Sequence, residues 1–87
     1  MSNHSGSYML NDVLRMLERE SFFEHLGKER TQAFVLSILQ VSHQYDCNTG
    51  EILEELGEHL GICYYCEDRA DEFRDGVCVK CYDAYFS

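Results

Sequence analysis

Four of the five cysteines stand in two pairs of equal spacing. Cys63-Tyr-Tyr-Cys66 and Cys78-Val-Lys-Cys81 make the pattern C-x2-C-x11-C-x2-C. A two-residue gap lets both sulfurs of a pair turn toward one point. Two such pairs complete a tetrahedral shell of thiolates with metal–sulfur bonds of about 2.3 Å, the arrangement of structural zinc. The expected cofactor is one structural Zn2+ on Cys63, Cys66, Cys78 and Cys81. A closed sulfur shell leaves no position for a reacting water, so a hydrolytic metal is not expected. Two other chemistries share these residues. One pair could act as a redox dithiol, but the βαβ pattern of such proteins is missing around it. An all-sulfur tetrahedron also suits iron.

Other candidates are weaker. His59 lies four residues before Cys63 and reads as a helical surface histidine beside Glu58. His43 and Cys47 are one helical turn apart, with no further ligands nearby in sequence. His4 and His25 carry no pattern. No Ser/His/Asp cue, Gly-rich phosphate loop or H-E-x-x-H motif is present, so the chain is not expected to be an enzyme.

Three elements must position the sulfurs. The first pair needs a tight turn. The segment between the pairs holds Phe73-Arg-Asp-Gly-Val77, where Asp75-Gly76 signals a β-hairpin. The second pair opens a helix, with Cys78, Cys81, Tyr82 and Tyr85 sharing one face. This order of cysteine turn, hairpin and helix resembles the treble-clef class of zinc modules, with the simpler zinc ribbon as the alternative. The resemblance spans residues 61–86 and identifies no particular family. It implies that all four cysteines are ligands of one zinc. Tyr64 and Glu67 stand where the usual C-P-x-C-G turn has Pro and Gly.

The preceding chain reads as helical. Residues 1–7 are small and polar and are expected to form a flexible tail. A first helix is predicted over 8–20, with Ser7 as N-cap and Leu10, Val13, Leu14 and Leu17 on one face. Ser21 and Glu24 have capping-box spacing before a short turn over 22–26, and Gly27 is a stop. The strongest helix is predicted over 28–45. Phe34, Ile38, Val41 and Tyr45 form one stripe, with Val35 and Leu39 beside it. A helix apolar over half its circumference is expected to be central and buried on two sides.

After the loop 46–50, Asn48 and Glu51 form a capping pair. A helix over 51–60 would then bury Ile52, Leu53, Leu56 and Leu60 and expose Glu51, Glu54, Glu55 and Glu58. Gly57 inside it points to a close helix contact or an early fray. The expected fold class is mainly α: a bundle of three to four helices over 8–60, and a zinc module over 61–87 packed on it, with a short hairpin and a terminal helix.

Composition narrows the function. The chain has 87 residues, five Cys, no Pro, and a net charge of −9 from seven basic and sixteen acidic side chains. A core this small calls for an extra staple, which a metal would supply. No apolar run is long enough to span a bilayer, so no membrane partner is expected. The first residues lack the pattern of a secretory signal, and the expected location is cytoplasmic, or nuclear in a eukaryote. Residues 1–60 carry four basic and ten acidic side chains, and residues 61–87 carry three and six. A dication on four thiolates would make the second segment more acidic still. DNA readers need basic helices, so direct nucleic-acid binding is the secondary expectation.

The leading expectation is a non-enzymatic zinc-containing regulatory or adaptor protein, with a transcription-associated role as one form of it. Its partner would be a protein with a basic surface. Tyr64 and Tyr65 are the candidate anchors, because two adjacent rings cannot readily both face inward. Glu51, Glu54, Glu55 and Glu58 are the candidate docking strip, or simply a solvated helix face. The remaining rings of this segment, Phe73, Tyr82, Tyr85 and Phe86, are also the large side chains available to bury a small metal module. The chain is expected to be a monomer or a small homo-oligomer, and helices near 8–20 and 29–45 would supply a dimer seam.

Overall fold

A computed structural model describes residues 3–86. Met1, Ser2 and Ser87 lie outside the described residues. The fold is mainly α, with a cysteine-rich module at the C-terminal end.

Helix α1 runs from His4 to Arg19, so the helix begins four residues before its expected start. Residues 3–7 are not a tail. Asn3 is the N-cap, and its Oδ1 accepts from the Gly6 N–H at 2.9 Å. Ser7 is buried in the helix instead of capping it. Its hydroxyl donates to the Asn3 carbonyl at 3.0 Å and accepts from the Asn48 N–H at 2.7 Å. The Asn3 N–H donates to the Asp46 carbonyl at 2.7 Å. These long-range bonds fix a first turn that has no apolar periodicity to announce it.

Helix α2 spans Phe22–Leu26 and stops at Gly27, as expected. Ser21 makes no capping bond; it sits at φ 63°, in the left-handed region. Helix α3 spans Lys28–His43. Its buried side is Thr31, Gln32, Val35, Leu39 and Ser42. The stripe expected in the core is turned out: Phe34, Val41 and Tyr45 are exposed. The helix is therefore buried on one side, not two. The apolar arc was wide enough for either edge to face inward; α5 packs against α3, whereas α4 packs against α1.

The expected helix over 51–60 is broken. Asn48 caps α4, Thr49–Ile52, accepting from the N–H groups of Gly50 and Glu51. The chain then turns, with Glu55 at φ 62°, and α5 covers Gly57–Leu60. Gly57 begins this second piece. A Cβ there would approach the Ile62 carbonyl oxygen to 2.9 Å, so the close contact is with its own following turn. Leu53, Leu56, Leu60 and Ile62 still reach the core formed by Leu14, Val35, Leu39 and Ile52. Asn11, buried on α1, ties this segment down by donating to the carbonyls of Ile52 at 2.9 Å and Glu54 at 3.2 Å.

Strands β1, Phe73–Arg74, and β2, Val77–Cys78, pair antiparallel with Phe73 opposite Cys78. Asp75 and Gly76 both have positive φ, as a two-residue hairpin turn requires. Helix α6, Val79–Cys81, follows and widens into a π-helical turn over Tyr82–Phe86. A second small cluster of Cys63, Val77, Cys78 and Cys81 lies under this module. No helix among the described residues is long and apolar enough to cross a membrane.

Candidate metal centre

Each cysteine is placed by a local device. Cys63 follows Ile62, which bridges to Arg69 so that the chain doubles back over the first pair. The turn closes when the Glu67 N–H donates to the Cys63 carbonyl at 2.8 Å, with Glu67 at φ 57°. This is the position where Gly is usual, and here a non-Gly residue adopts the left-handed conformation. Cys78 ends β2, and Cys81 lies one turn into α6.

The result is a compact sulfur cluster. All four Sγ atoms lie within 4.8 Å of one another. Cys63 and Cys81 sulfurs are 3.8 Å apart, and so are those of Cys66 and Cys78. The edge of a sulfur tetrahedron around a metal at 2.3 Å is about 3.8 Å. Disulfide sulfurs would be about 2.05 Å apart, and all five cysteines are free thiols. Three of the four cysteines are buried, and Cys66 is exposed. The donor set fits a tetrahedral metal ion of the zinc type.

The electrostatics favour a cation. Burial raises the Cys63 thiol, but the N–H groups of Cys78, Cys66 and Tyr65 outweigh it and bring its pKa down to about 7. The Cys78 N–H to Cys63 Sγ distance is 3.4 Å. Cys66 is raised by burial and by its contact with Cys63. Cys81 is raised by burial and by the surrounding sulfurs of Cys78, Cys66 and Cys63. One thiolate at this centre therefore opposes the next, and a dication removes that conflict.

The other histidine candidates do not join the cluster. The sequence pairing of His43 with Cys47 is not a site: His43 Nε2 lies 2.6 Å from Glu67 Oε1, whereas Cys47 is buried in the helical core. His59 lines a groove with Glu58 and Tyr64.

The docking candidates separate. Tyr64 covers Gly50 and Gly76, and it lines a groove of about 460 Å³ with Glu54, Glu55 and Glu58. Glu51 is not part of this strip. Its carboxylate lies 2.7 Å from His4 Nδ1, and its charge and hydrogen bond raise the Tyr8 phenol. The break at Glu55 separates Glu51, which reaches the first turn of α1, from Glu54, Glu55 and Glu58, which line the groove beside Tyr64. Glu55 also pairs with Arg15 at 3.2 Å. Tyr65 belongs to another surface, where its ring centroid is 5.1 Å from Tyr85 and 5.6 Å from Phe86. Tyr85 and Phe86 are exposed instead of burying the module, because the widened last turn rotates Tyr85 off the cysteine face.

One supporting residue, Gln32, and one supporting contact, that of Glu67, escaped the sequence reading. Gln32 is buried on α3, and its Nε2 donates at 3.0 Å to the Gly61 carbonyl, two residues before the first ligand. Glu67 joins the cysteine turn to the end of α3 through His43. Gln32 stands in no recognisable motif, and no spacing links Glu67 to His43. No family model, curated protein or solved structure matches the chain.

Proposed function

We propose that the chain is a non-enzymatic regulatory or adaptor protein whose C-terminal segment is a treble-clef-like module built on one structural Zn2+. The observation that carries the metal assignment is the 3.8 Å spacing of both opposed sulfur pairs. Four thiolates fill the tetrahedron, so the zinc organises the fold and activates no water. The hairpin and the helix that bears Cys81 support the treble-clef reading over the ribbon, which lacks such a helix. The acidic groove supports a protein partner with a basic surface. Tyr64 supplies a ring at its edge, and Glu54 and Glu58 supply charge. Direct nucleic-acid binding is disfavoured by the same acids. A reducing compartment, cytoplasmic or nuclear, would keep the thiols available.

The test is an affinity capture with the zinc-loaded full chain at low and high salt, read by mass spectrometry. A basic protein retained at low salt, weakened by salt, and lost with Tyr64→Ala or Glu58→Gln is expected. A partner that binds equally well to both variants would place docking elsewhere and refute the role of this groove.

A further inference from the structure

The apolar stripe of α3 that faces away from the core is not alone. Met9, Leu10, Phe34, Ile38, Val41 and Tyr45 line one groove of about 500 Å³ between α1 and α3. It is lined by no Asp, Glu, Lys or Arg. Met9 is 60% exposed, Val41 53% and Tyr45 64%. The face continues along α1 through Val13 and Met16, one and two turns beyond Met9, which are also exposed. At the far end Phe22 meets Phe34 with ring centroids 5.7 Å apart.

We infer that this face is the contact between two copies of the chain. Area is the first argument. Full side chains of these types expose roughly 150–250 Å², so the seven exposed ones, the five above with Phe22 and Phe34, together present about 600–700 Å² of surface. That exceeds the largest patch of a typical monomer, about 300–600 Å². Two such faces brought together remove about 1,300 Å², within the range of about 1,200–2,000 Å² for a stable interface. Both helices have 16 residues, enough for a helix-pair contact of about 24 Å.

Charge is the second argument. The chain as a whole is strongly acidic, which would oppose self-association. The excess of acids lies in the later part of the sequence, however. Residues 1–45 hold five acidic and four basic side chains, whereas residues 46–87 hold eleven acidic and three basic. A groove lined by no charged side chain, between two helices of a segment whose net charge is only −1, can meet its own copy with little like-charge repulsion. A basic partner is drawn to the other half. The two docking surfaces are thus separate, and the dimer does not depend on the partner groove.

The test measures the mass of the zinc-loaded full chain by sedimentation equilibrium from low to high micromolar concentration. A species of twice the 10.2 kDa chain mass is expected. Val41→Glu places a charge at the centre of the face and is expected to weaken the dimer at least about tenfold, with unchanged far-UV circular dichroism. A second measurement needs no variant. In a mixture of labelled and unlabelled chains, intermolecular methyl contacts should join Met9 or Val13 to Ile38 or Val41. A single 10.2 kDa species at high micromolar concentration overturns the inference, including the case in which that monomer captures an amphipathic helix in the groove. A dimer that Val41→Glu leaves intact, with no methyl contacts across this face, overturns it equally.

Discussion

Removing the metal should unfold one end of this molecule and spare the other. The difference follows from what each core contains. The helical core holds Leu14, Phe23, Val35, Leu39, Ile52, Leu53, Leu56, Leu60 and Ile62 as buried apolar side chains. The cysteine module buries Val77 and three of its own ligands. Full burial of one valine is worth about 1.5–3 kcal/mol. Zinc held by small peptides contributes about 10–16 kcal/mol. The metal therefore outweighs the module's aliphatic burial several-fold. The strands are two residues each, too short to persist alone. The Cys81 thiol, raised by burial and by the Cys63 sulfur beside it, would also lose the cation that reconciles the two. With a strong chelator, amide signals of residues 63–86 should collapse to the unfolded range, while those of α1 and α3 keep their dispersion. Residue-resolved NMR with metal added back is the assay. Retained dispersion over residues 63–86 in metal-free protein would sink the structural-zinc reasoning. Simultaneous loss of α1 and α3 would show that the helical core cannot stand without the module.

Two further outcomes test the centre itself. A non-Gly residue at the left-handed Glu67 position costs about 1–2 kcal/mol, and both Gly and Ala lose the contact with His43. Glu67→Gly should therefore be more stable than Glu67→Ala by about 1 kcal/mol in urea unfolding of the zinc-loaded chain; equal stability would remove the strain argument. Burial raises Cys66 and Cys81, so both carry protons at neutral pH and must lose them when zinc binds. The metal-bound thiolates titrate far below the free thiols, so their stabilisation is present at high pH and is lost as pH falls. Zinc affinity by chelator competition should drop by at least roughly 100-fold per pH unit below neutrality; a flat profile would refute this proton linkage.

The parts of the fold that sequence reading anticipated are those set by local spacing. The two C-x2-C pairs, the Asp75-Gly76 turn, the Asn48 cap and the Gly27 stop each need only a few neighbouring residues to specify geometry. The parts it misplaced depend on distant atoms. Asn3 and Ser7 form a helical turn because Asp46 and Asn48 supply partners for them. Glu55 takes a positive φ where its neighbours have a continuous helical pattern. That single break separates Glu51 from Glu54, Glu55 and Glu58 and leaves three of the four expected acids on the groove. Gln32 reads as a polar surface residue until Gly61 is placed against it.

The misreading of α3 has a different origin, and it bears on the dimer. An apolar arc spanning more than half a helix promises two buried edges. In one copy only the Thr31–Val35–Leu39 edge finds a covering element. The other edge meets α1, whose own Met9, Val13 and Met16 are equally uncovered. If α1 and α3 of a second copy cover this face, both edges of α3 are buried and the expectation drawn from periodicity holds for the assembly. The same pattern then explains why a chain with so few core residues spends Met9, Val41 and Tyr45 on its surface. A lone monomer must leave roughly 600–700 Å² of apolar area on this face in water. No charged side chain lines the groove at its centre. The face thus links a sequence feature to an assembly, and the mass of the chain in solution decides between them.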